Sequence, residues 1–248
     1  MEDNIIVRTA SAADTHYADT ITTEMAESAK ARGTGIAKRS SEYVKLKMEE
    51  DKAVIATTRD GTWVGFCYIE SWEHEKFVAN SGLIVAPPFR KSGVATEIKR
   101  KVFELSRKKY PEAKIFGLTT GLAVMKINSD LGYEPVTYSE LTNDEEFWKG
   151  CKSCVNYEIL ISKERKNCMC TAMLFDPVEE AKKKAELTKT VVTEDGNLEH
   201  HKKREFQGNL RLFERWVRFK QFVLLKGWRK KDDDEGKKAS ILNFLFFW

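Results

Sequence analysis

The sequence predicts an α/β fold of the α+β type: a central, mixed but mostly antiparallel twisted sheet flanked by helices, with a helical extension at the C-terminus. Strand-like apolar runs on either side of Asp60-Gly61 indicate consecutive antiparallel strands. Stretches with apolar residues at helical spacing precede and follow these strands. The chain has 248 residues, 42% of them hydrophobic, so we expect one large domain, or one domain with an appendage.

Charge and hydropathy exclude several classes of protein. Lys and Arg number 42 and Asp and Glu 38, and the net charge of +4 is too small to predict a general polyanion binder. No apolar stretch approaches the ~18 residues of a membrane span, and the acidic N-terminus does not resemble a signal peptide. We therefore expect a soluble, cytoplasmic protein with reduced cysteines.

The first half of the chain is expected to begin with a strand, followed by two helices and three strands. Asp14 can cap the first helix, and Ser40 with Ser41 opens the second. From there the apolar period changes to that of strands, with a hairpin at Asp60-Gly61. The predicted elements are a strand at 4–8, helices at 11–30 and 41–51, and strands at 53–58, 62–69 and 76–85.

The second half is expected to alternate between helices and strands. Pro87-Pro88 ends the third strand of the meander, and a helix beginning after Gly93 ends before Pro111. A strand at 115–119, a helix at 122–131 closed by Gly132 and strand character from 136 follow. We place a domain at 1–180 with a cysteine-rich segment at 148–176, and a linker with a basic amphipathic tail at 181–248.

A glycine-containing loop stands before the long helix. Backbone N–H groups at a helix N-terminus, with basic side chains nearby, favour binding of an anion. Such a hexapeptide alone is more often an ordinary turn. Here it follows an apolar strand and two prolines. The segment consists of Leu83, Ile84, Val85, then Arg90, Lys91, Ser92, Gly93, Val94 and Ala95.

In this context the segment resembles the acetyl-CoA motif of the GNAT superfamily of N-acetyltransferases, and the order of elements agrees to about residue 138. Leu131-Gly132-Tyr133 is similar to the family's later signature. The resemblance implies acetyl-CoA in a cleft between the third and fourth sheet strands. It places the pyrophosphate on the N–H groups of Lys91–Ala95 and the pantetheine along Leu83–Val85, whose donors also stabilise the oxyanion. It further implies direct attack by an amine in a ternary complex.

The resemblance leaves the acid and the base of the reaction open. Many members of the family have a Tyr general acid where this chain has Asn128, which can only hydrogen-bond cofactor groups. The candidate bases are Glu70, which would act through a water, and His74, because histidine as a residue type can exchange a proton near neutral pH. Charged residues at a hairpin are, however, usually solvated. Arg32 in the basic loop 32–39 is expected to bind a carboxylate-bearing acceptor, unless this is an ordinary solvated loop.

Four cysteines are crowded together in the second half of the chain. Two close pairs separated by a hairpin-length stretch favour a structural Zn²⁺ site, because residues 155–161 look strand-like. A redox pair and inert thiols are the alternatives. The four residues are Cys151, Cys154, Cys168 and Cys170.

The tail from residue 200 has interleaved basic and aromatic residues at helical spacing. It is expected to dock on its own domain or on a partner subunit of a homodimer, or else to contact an anionic membrane surface or nucleic acid.

The resemblance to the GNAT superfamily implies an acetyl-CoA-dependent N-acetyltransferase acting on a primary amine of a small metabolite. The acceptor it favours is an amino acid, as in arginine-pathway metabolism. The alternatives are a protein or peptide N-acetyltransferase and a non-catalytic acetyl-CoA-binding module.

Overall fold

The structure, a computed structural model, describes residues 5–32 and 38–189, without the side chains of residues 32 and 186–189. The chain divides into two units, Met1–Lys189 and Thr190–Trp248. The basic amphipathic tail that the sequence predicts lies outside the described residues. None of the helices in the described part of the chain is long and apolar enough to cross a membrane.

The first unit is built on one seven-stranded sheet with the strand order β1-β2-β3-β4-β5-β7-β6. All neighbouring strands are antiparallel except β4 and β5, which are parallel. This confirms the predicted mixed, mostly antiparallel sheet. The strands are β1 (Ile6–Thr9), β2 (Ala53–Thr57), β3 (Trp63–Trp72), β4 (Phe77–Val85), β5 (Lys114–Thr119), β6 (Glu134–Val136) and β7 (Thr171–Phe175).

Helices cover both faces of the sheet. Apolar residues of α1 and α2, such as Ile21 and Val44, pack on one face in a cluster with Phe66 of β3. On the other face, Ile98 and Val102 of α3 belong to a cluster with the central strands. The helices are α1 (Ala18–Arg32), α2 (Ser41–Glu49), α3 (Val94–Lys109), α4 (Leu122–Asp130), α5 (Glu145–Lys149), α6 (Tyr157–Ser162) and α7 (Pro177–Lys189).

A β-bulge in β4 changes the course of this strand. Tyr68 pairs with Ser81 and Phe66 with Ile84, so that two residues of β4 lie opposite Cys67 of β3. One of the two is Gly82, with a φ of +67°, a left-handed conformation that glycine adopts without a steric cost. Bulges of this kind bend the strand and interrupt its pairing.

The parallel pair of β4 and β5 is short for this reason. Only Phe77, Val78 and Ala79 of β4 have partners in β5. From Asn80 onwards the two strands diverge, and the edge of β4 that faces β5 has no partner in the described sheet. The divergence opens a gap in the middle of the sheet, and the candidate functional site lies in this gap.

The region after β5 differs most from the prediction. Residues 155–161, predicted as a strand, form the short helix α6, of which Leu160 is buried whereas Val155, Ile159 and Ile161 are exposed. The sequence analysis missed β7, which inserts between β5 and β6. Its run of buried residues on both faces has no alternation that would distinguish a strand from other buried segments.

Candidate functional site

A cavity of about 270 Å³ fills the gap between β4 and β5. It is therefore one strand further along the sheet than the cleft between the third and fourth strands that the sequence analysis expected. Its walls include Asn80, Gly82 and Leu83 of β4 and Gly117 and Leu118 of β5. Because the facing edges of β4 and β5 are not paired with each other where the strands diverge, the backbone groups of these edges can hydrogen-bond to an extended ligand.

The strand β4 leads from this cavity to the loop before α3. Ile84 and Val85 are buried, so their side chains belong to the core and only their backbone groups can meet a ligand. The predicted contacts of Leu83, Ile84 and Val85 with pantetheine would thus be made by the main chain. Leu83 alone of the three lines the cavity.

The loop before α3 has the geometry of an anion site. Lys91 and Gly93 have φ angles of +66° and +88°, and Gly93 is the N-cap of α3. Among the described residues, no backbone carbonyl accepts a hydrogen bond from the N–H groups of residues 91–95. Successive free N–H groups at a helix N-terminus bind anions. A Cβ at Gly93 would have no heavy atom within 4 Å, so the loop is open at this point.

Two polar side chains of the predicted loop have other partners in the structure. The Arg90 guanidinium donates to the Val85 carbonyl over 3.0 Å and to Glu24 Oε1 and Ser28 Oγ of α1 over 2.7 and 2.8 Å. The Ser92 hydroxyl donates to the Phe89 carbonyl over 2.6 Å. Arg90 therefore holds the loop against α1, and the backbone of the loop is the better candidate for phosphate binding. Val94 and Ala95 pack on the core beneath it.

Polar side chains form one wall of the cavity. Asn80 Oδ1 accepts from the Tyr133 hydroxyl over 2.8 Å and lies 3.4 Å from Lys99 Nζ. Asn80 Nδ2 donates to Ser106 Oγ over 2.9 Å. We call Asn80, Lys99 and Asn128, all of which line the cavity, the inner wall. Asn128 Oδ1 is buried and has no hydrogen-bond partner among the described residues, which agrees with its predicted role in ligand binding.

A second polar cluster lies at the end of the cavity that faces α1 and α2. The Arg39 Nε donates to the Tyr68 hydroxyl over 2.8 Å, and Arg39 Nη2 lies 3.7 Å from Glu70 Oε2. The Tyr43 hydroxyl donates to the other carboxylate oxygen of Glu70. Arg39 and Tyr68 line the cavity, whereas Glu70 lies behind them. We call these four residues the Arg39 cluster.

Burial affects the pKa values of this cluster. It raises the pKa of the Glu70 carboxyl, and the Arg39 guanidinium opposes this effect only in part. It also raises the pKa of the Tyr68 hydroxyl, again against the effect of Arg39. Arg39 itself stays charged, because Tyr68 and Glu70 offset the cost of its burial. The cluster thus presents a cation to the cavity, with 20% of the Arg39 side chain exposed.

The structure separates the two predicted bases. Glu70 is on β3, within the Arg39 cluster. His74 lies in the turn between β3 and β4, where it lines a separate groove with Lys109 and Tyr110. Since β4 runs from this turn towards the cavity, His74 is at the paired end of β4 and β5 and is not brought to the site. The predicted acceptor ligand Arg32 ends α1, and its side chain lies outside the described residues.

The predicted zinc site is not supported. The part of the chain that the structure describes has no group of three or more His, Cys, Asp or Glu side chains that could hold a metal ion. Helix α6 replaces the expected hairpin between the two cysteine pairs, and the Cys154 thiol accepts from the Asn156 N–H over 3.4 Å. Burial raises the pKa of the Cys151 thiol to about 11 and that of the Cys170 thiol to about 12, so both are neutral thiols near pH 7. All four thiols, those of Cys151, Cys154, Cys168 and Cys170, are free and border the cavity.

Sequence reasoning missed two charged residues of the cavity. Arg39 belongs to the basic loop that was singled out for acceptor binding, but Arg32 was chosen from it. Lys99 stands in the run Lys99-Arg100-Lys101, which is typical of a solvated helix face. The signal that was available is its spacing: Ala95, Lys99, Val102 and Ser106 follow one another at helical intervals, beside the apolar stripe of α3.

Comparison with known proteins extends this description. The model of the acetyltransferase (GNAT) family matches residues 22–123, which include β4, the loop and α3. No curated protein sequence matches the chain.

Solved structures with a similar fold include N-acetylglutamate synthase from Neisseria gonorrhoeae complexed with coenzyme A and N-acetyl-glutamate, with 15% identity and a TM-score of 0.50 over 71% of this chain and 36% of that one. The chain thus spans little more than a third of the synthase. Rv2747 from Mycobacterium tuberculosis has 14% identity and a TM-score of 0.49 over 69% of this chain and 98% of its own. At 15% identity, the likeness to the synthase establishes the fold alone.

Proposed function

We propose that this chain, whose residues 22–123 match the model of the acetyltransferase (GNAT) family, transfers the acetyl group of acetyl-CoA to the primary amine of an amino acid or a similar small metabolite. The observation that carries this proposal is the cavity between β4 and β5. It has an inner wall of polar side chains on the α3 side and the Arg39 cluster on the side of α1 and α2. Two substrates can therefore approach one point from opposite faces of the sheet.

The residues on the α3 side fit acetyl-CoA. The free N–H groups of residues 91–95 would hold its pyrophosphate, and the unpaired edge of β4 would pair with its amide-bearing arm. Asn128 offers a buried acceptor that lacks a partner among the described residues. When bound, acetyl-CoA supplies an activated acetyl group, and the protein contributes orientation and electrostatic stabilisation.

The residues on the side of α1 and α2 fit a carboxylate-bearing acceptor. Arg39 presents a guanidinium to the cavity, and its distance of 3.7 Å from Glu70 is long for an ion pair, so an acceptor carboxylate can compete for its donors. Tyr68 fixes the guanidinium through Nε. Glu70 would accept the proton of the acceptor's ammonium through a water, because Arg39 and Tyr43 surround its carboxylate. Arg39 takes the place of the predicted Arg32 in this proposal.

The test is the release of CoA thiol from acetyl-CoA in the presence of a panel of amines. L-Amino acids should support turnover, and matched amines that lack the α-carboxylate should do so at least tenfold less well. Arg39→Gln should raise KM for the amino acid at least tenfold and leave KM for acetyl-CoA unchanged. Arg100→Gln, on the exposed face of α3, is the control for the loss of one positive charge.

The other outcomes separate the alternatives. Turnover with peptide N-termini or lysine side chains but with no free amino acid would favour a protein or peptide N-acetyltransferase. Binding of acetyl-CoA without turnover by any acceptor would favour a non-catalytic module. Either result would contradict the proposed acceptor class, whereas a protein that does not bind acetyl-CoA would contradict the proposal as a whole.

A further inference from the structure

Lys99 is a buried lysine without a counter-ion in the described part of the chain. Its exposure is 2%, and none of the ion pairs among the described residues includes it. Its Nζ lies 3.4 Å from Asn80 Oδ1 and 5.3 Å from the centre of the Tyr133 ring. Lysines are almost never buried without a partner, because removing an ammonium from water carries a large cost. A lysine held in this way indicates a function that offsets the loss of stability.

A second, independent observation points to a ligand at the same place. Asn128, on α4, lines the same cavity and has a buried side-chain oxygen without a partner among the described residues. Its Nδ2 is in contact with the sulfur of Met173 over 3.8 Å, a weak acceptor. Two elements, α3 and α4, thus line one cavity with a buried ammonium that has a single hydrogen bond, to Asn80, and a buried amide oxygen that has none among the described residues.

The position of Lys99 along α3 relates it to the reacting end of the proposed cosubstrate. Lys99 is six residues, about 1.7 turns or about 9 Å of helix rise, from Gly93 at the anion-binding loop. Since α3 runs back alongside β4, its Nζ reaches Asn80, where β4 and β5 separate. A ligand with its phosphates at the loop and its arm along β4 places its far end against Lys99, Asn80 and Asn128.

The ionisable groups that face Lys99 leave its environment without a negative charge. Cys67 of β3 is buried, and burial raises its pKa to about 11. Burial also raises the pKa of Tyr133, the residue that packs against Lys99 after α4. Both groups are neutral near pH 7. Burial lowers the pKa of Lys99, which makes its ammonium a better proton donor than that of an exposed lysine.

We propose that Lys99 is the general acid of the reaction and protonates the sulfur of CoA as it leaves. This inference rests on the proposed function. As the amine nitrogen forms its bond to the acetyl carbon, the carbon–sulfur bond breaks and its electron pair remains on sulfur. The proton moves from Lys99 Nζ to that sulfur. The amine of Lys99 then regains a proton from water when CoA leaves. The acceptor's own proton leaves on the other face of the sheet, towards the Arg39 cluster.

The direct test measures the acidity of the thiol of bound CoA. The ultraviolet absorbance of the thiolate is recorded during a pH titration. CoA is added in saturating amount to the full-length protein, to Lys99→Met and to the control Lys101→Met. Methionine keeps an unbranched side chain of similar length in the core. In the wild-type protein and in Lys101→Met, the bound thiol should titrate below the ~8.5 of a free thiol. In Lys99→Met the acid dissociation constant of the bound thiol should be at least tenfold smaller.

Activity and stability give two further readouts. Lys99→Met should lower kcat at least tenfold with little change in KM for acetyl-CoA, and it should raise the melting temperature because it removes a buried charge. A wild-type protein that does not bind CoA would contradict the proposed function together with this inference. CoA that binds, but whose thiol has the same acidity in the wild-type protein and in Lys99→Met, would overturn the role of Lys99 alone.

Discussion

Glu70 is a residue of the Arg39 cluster whose ionisation the fold opposes. Burial raises the pKa of its carboxyl above the ordinary 4.5, so the folded state binds a proton more tightly than the unfolded state does. A raised pKa contributes stability that is present below pH 4.5 and is lost as the pH rises through the pKa of the folded state. The free energy of unfolding of the wild-type protein should therefore fall as the pH rises from 4.5 through the pKa of Glu70 in the folded state.

The variant Glu70→Gln should lack this loss of stability. We expect the difference in melting temperature between Glu70→Gln and the wild-type protein to increase in favour of the variant as the pH rises from 4.5 towards neutrality. Glu104→Gln, on the exposed side of α3, controls for the removal of one carboxylate. A difference that stays constant over this range of pH, or shrinks, would contradict the assignment.

At the residue scale, the sequence predicted the backbone of the candidate cofactor site better than its side chains. The loop at residues 91–95 is recognisable because a glycine turn and a helix start are local features. Arg39, Lys99 and Tyr68 come together only through the sheet and the two helical layers, which no local spacing reveals. His74 was predicted to lie near the acceptor because it belongs to the hairpin before β4. The cavity is at the other end of β4, which follows only from the pairing of β4 with β5.

The bulge of β4 is the element that opens the cavity, and Gly82 is its most constrained position. A Cβ at Gly82 would lie 2.4 Å from Tyr68 Cε1, and the φ of +67° already disfavours a side chain there. Gly82→Ala should displace Tyr68, which holds Arg39, and should cost about 1–3 kcal/mol in overpacking beyond the backbone strain.

The matched control for this prediction is Gly93→Ala. Gly93 also has a positive φ, of +88°, but its Cβ would have no heavy atom within 4 Å. Both variants bear the strain of a left-handed alanine, and only Gly82→Ala bears the clash. Urea denaturation should give a lower free energy of unfolding for Gly82→Ala than for Gly93→Ala. Equal values would show that the bulge is not as tightly packed as described.

At the scale of elements, the meander and the helices before residue 131 were predictable because their patterns are regular. The turn at Asp60-Gly61 and the cap at Ser40, whose hydroxyl accepts from the Tyr43 N–H over 3.2 Å, are local signals. Helix α6 has an alternation of apolar residues that favours a strand, but only Leu160 is buried in the cluster around Trp148. Tertiary packing determines the conformation of that segment. It also determines the position of β7 between β5 and β6.

At the scale of the whole molecule, the described residues that line the cavity all belong to the first unit. It ends with α7 at Lys189, beyond the boundary near residue 180 that the composition predicted. Deletion of residues 190–248 should leave the affinity for acetyl-CoA within twofold of that of the full chain, measured by calorimetry. A loss of tenfold or more would show that the basic tail takes part in cofactor binding.

The same deletion tests the predicted role of the tail. Binding to vesicles with anionic lipids at low salt, if the tail provides it, should be present in the full chain, absent from the truncated one, and weaker as salt is added. A full chain that binds neither vesicles nor nucleic acid would leave docking on its own domain or on a second copy as the role of the tail.

We propose that acetyl-CoA binds in the gap between β4 and β5 and at the loop before α3. Calorimetric titration of acetyl-CoA into the wild-type protein, Gly93→Asp and Gly61→Asp tests it most directly. Gly61, in the turn between β2 and β3, has a φ of +86°, close to the +88° of Gly93, so the two variants share the same backbone strain. We expect Gly93→Asp, which places a carboxylate against the pyrophosphate, to lose at least tenfold in affinity, about 1.4 kcal/mol, and Gly61→Asp to bind as the wild-type protein does. Equal affinity of folded Gly93→Asp and Gly61→Asp would contradict it.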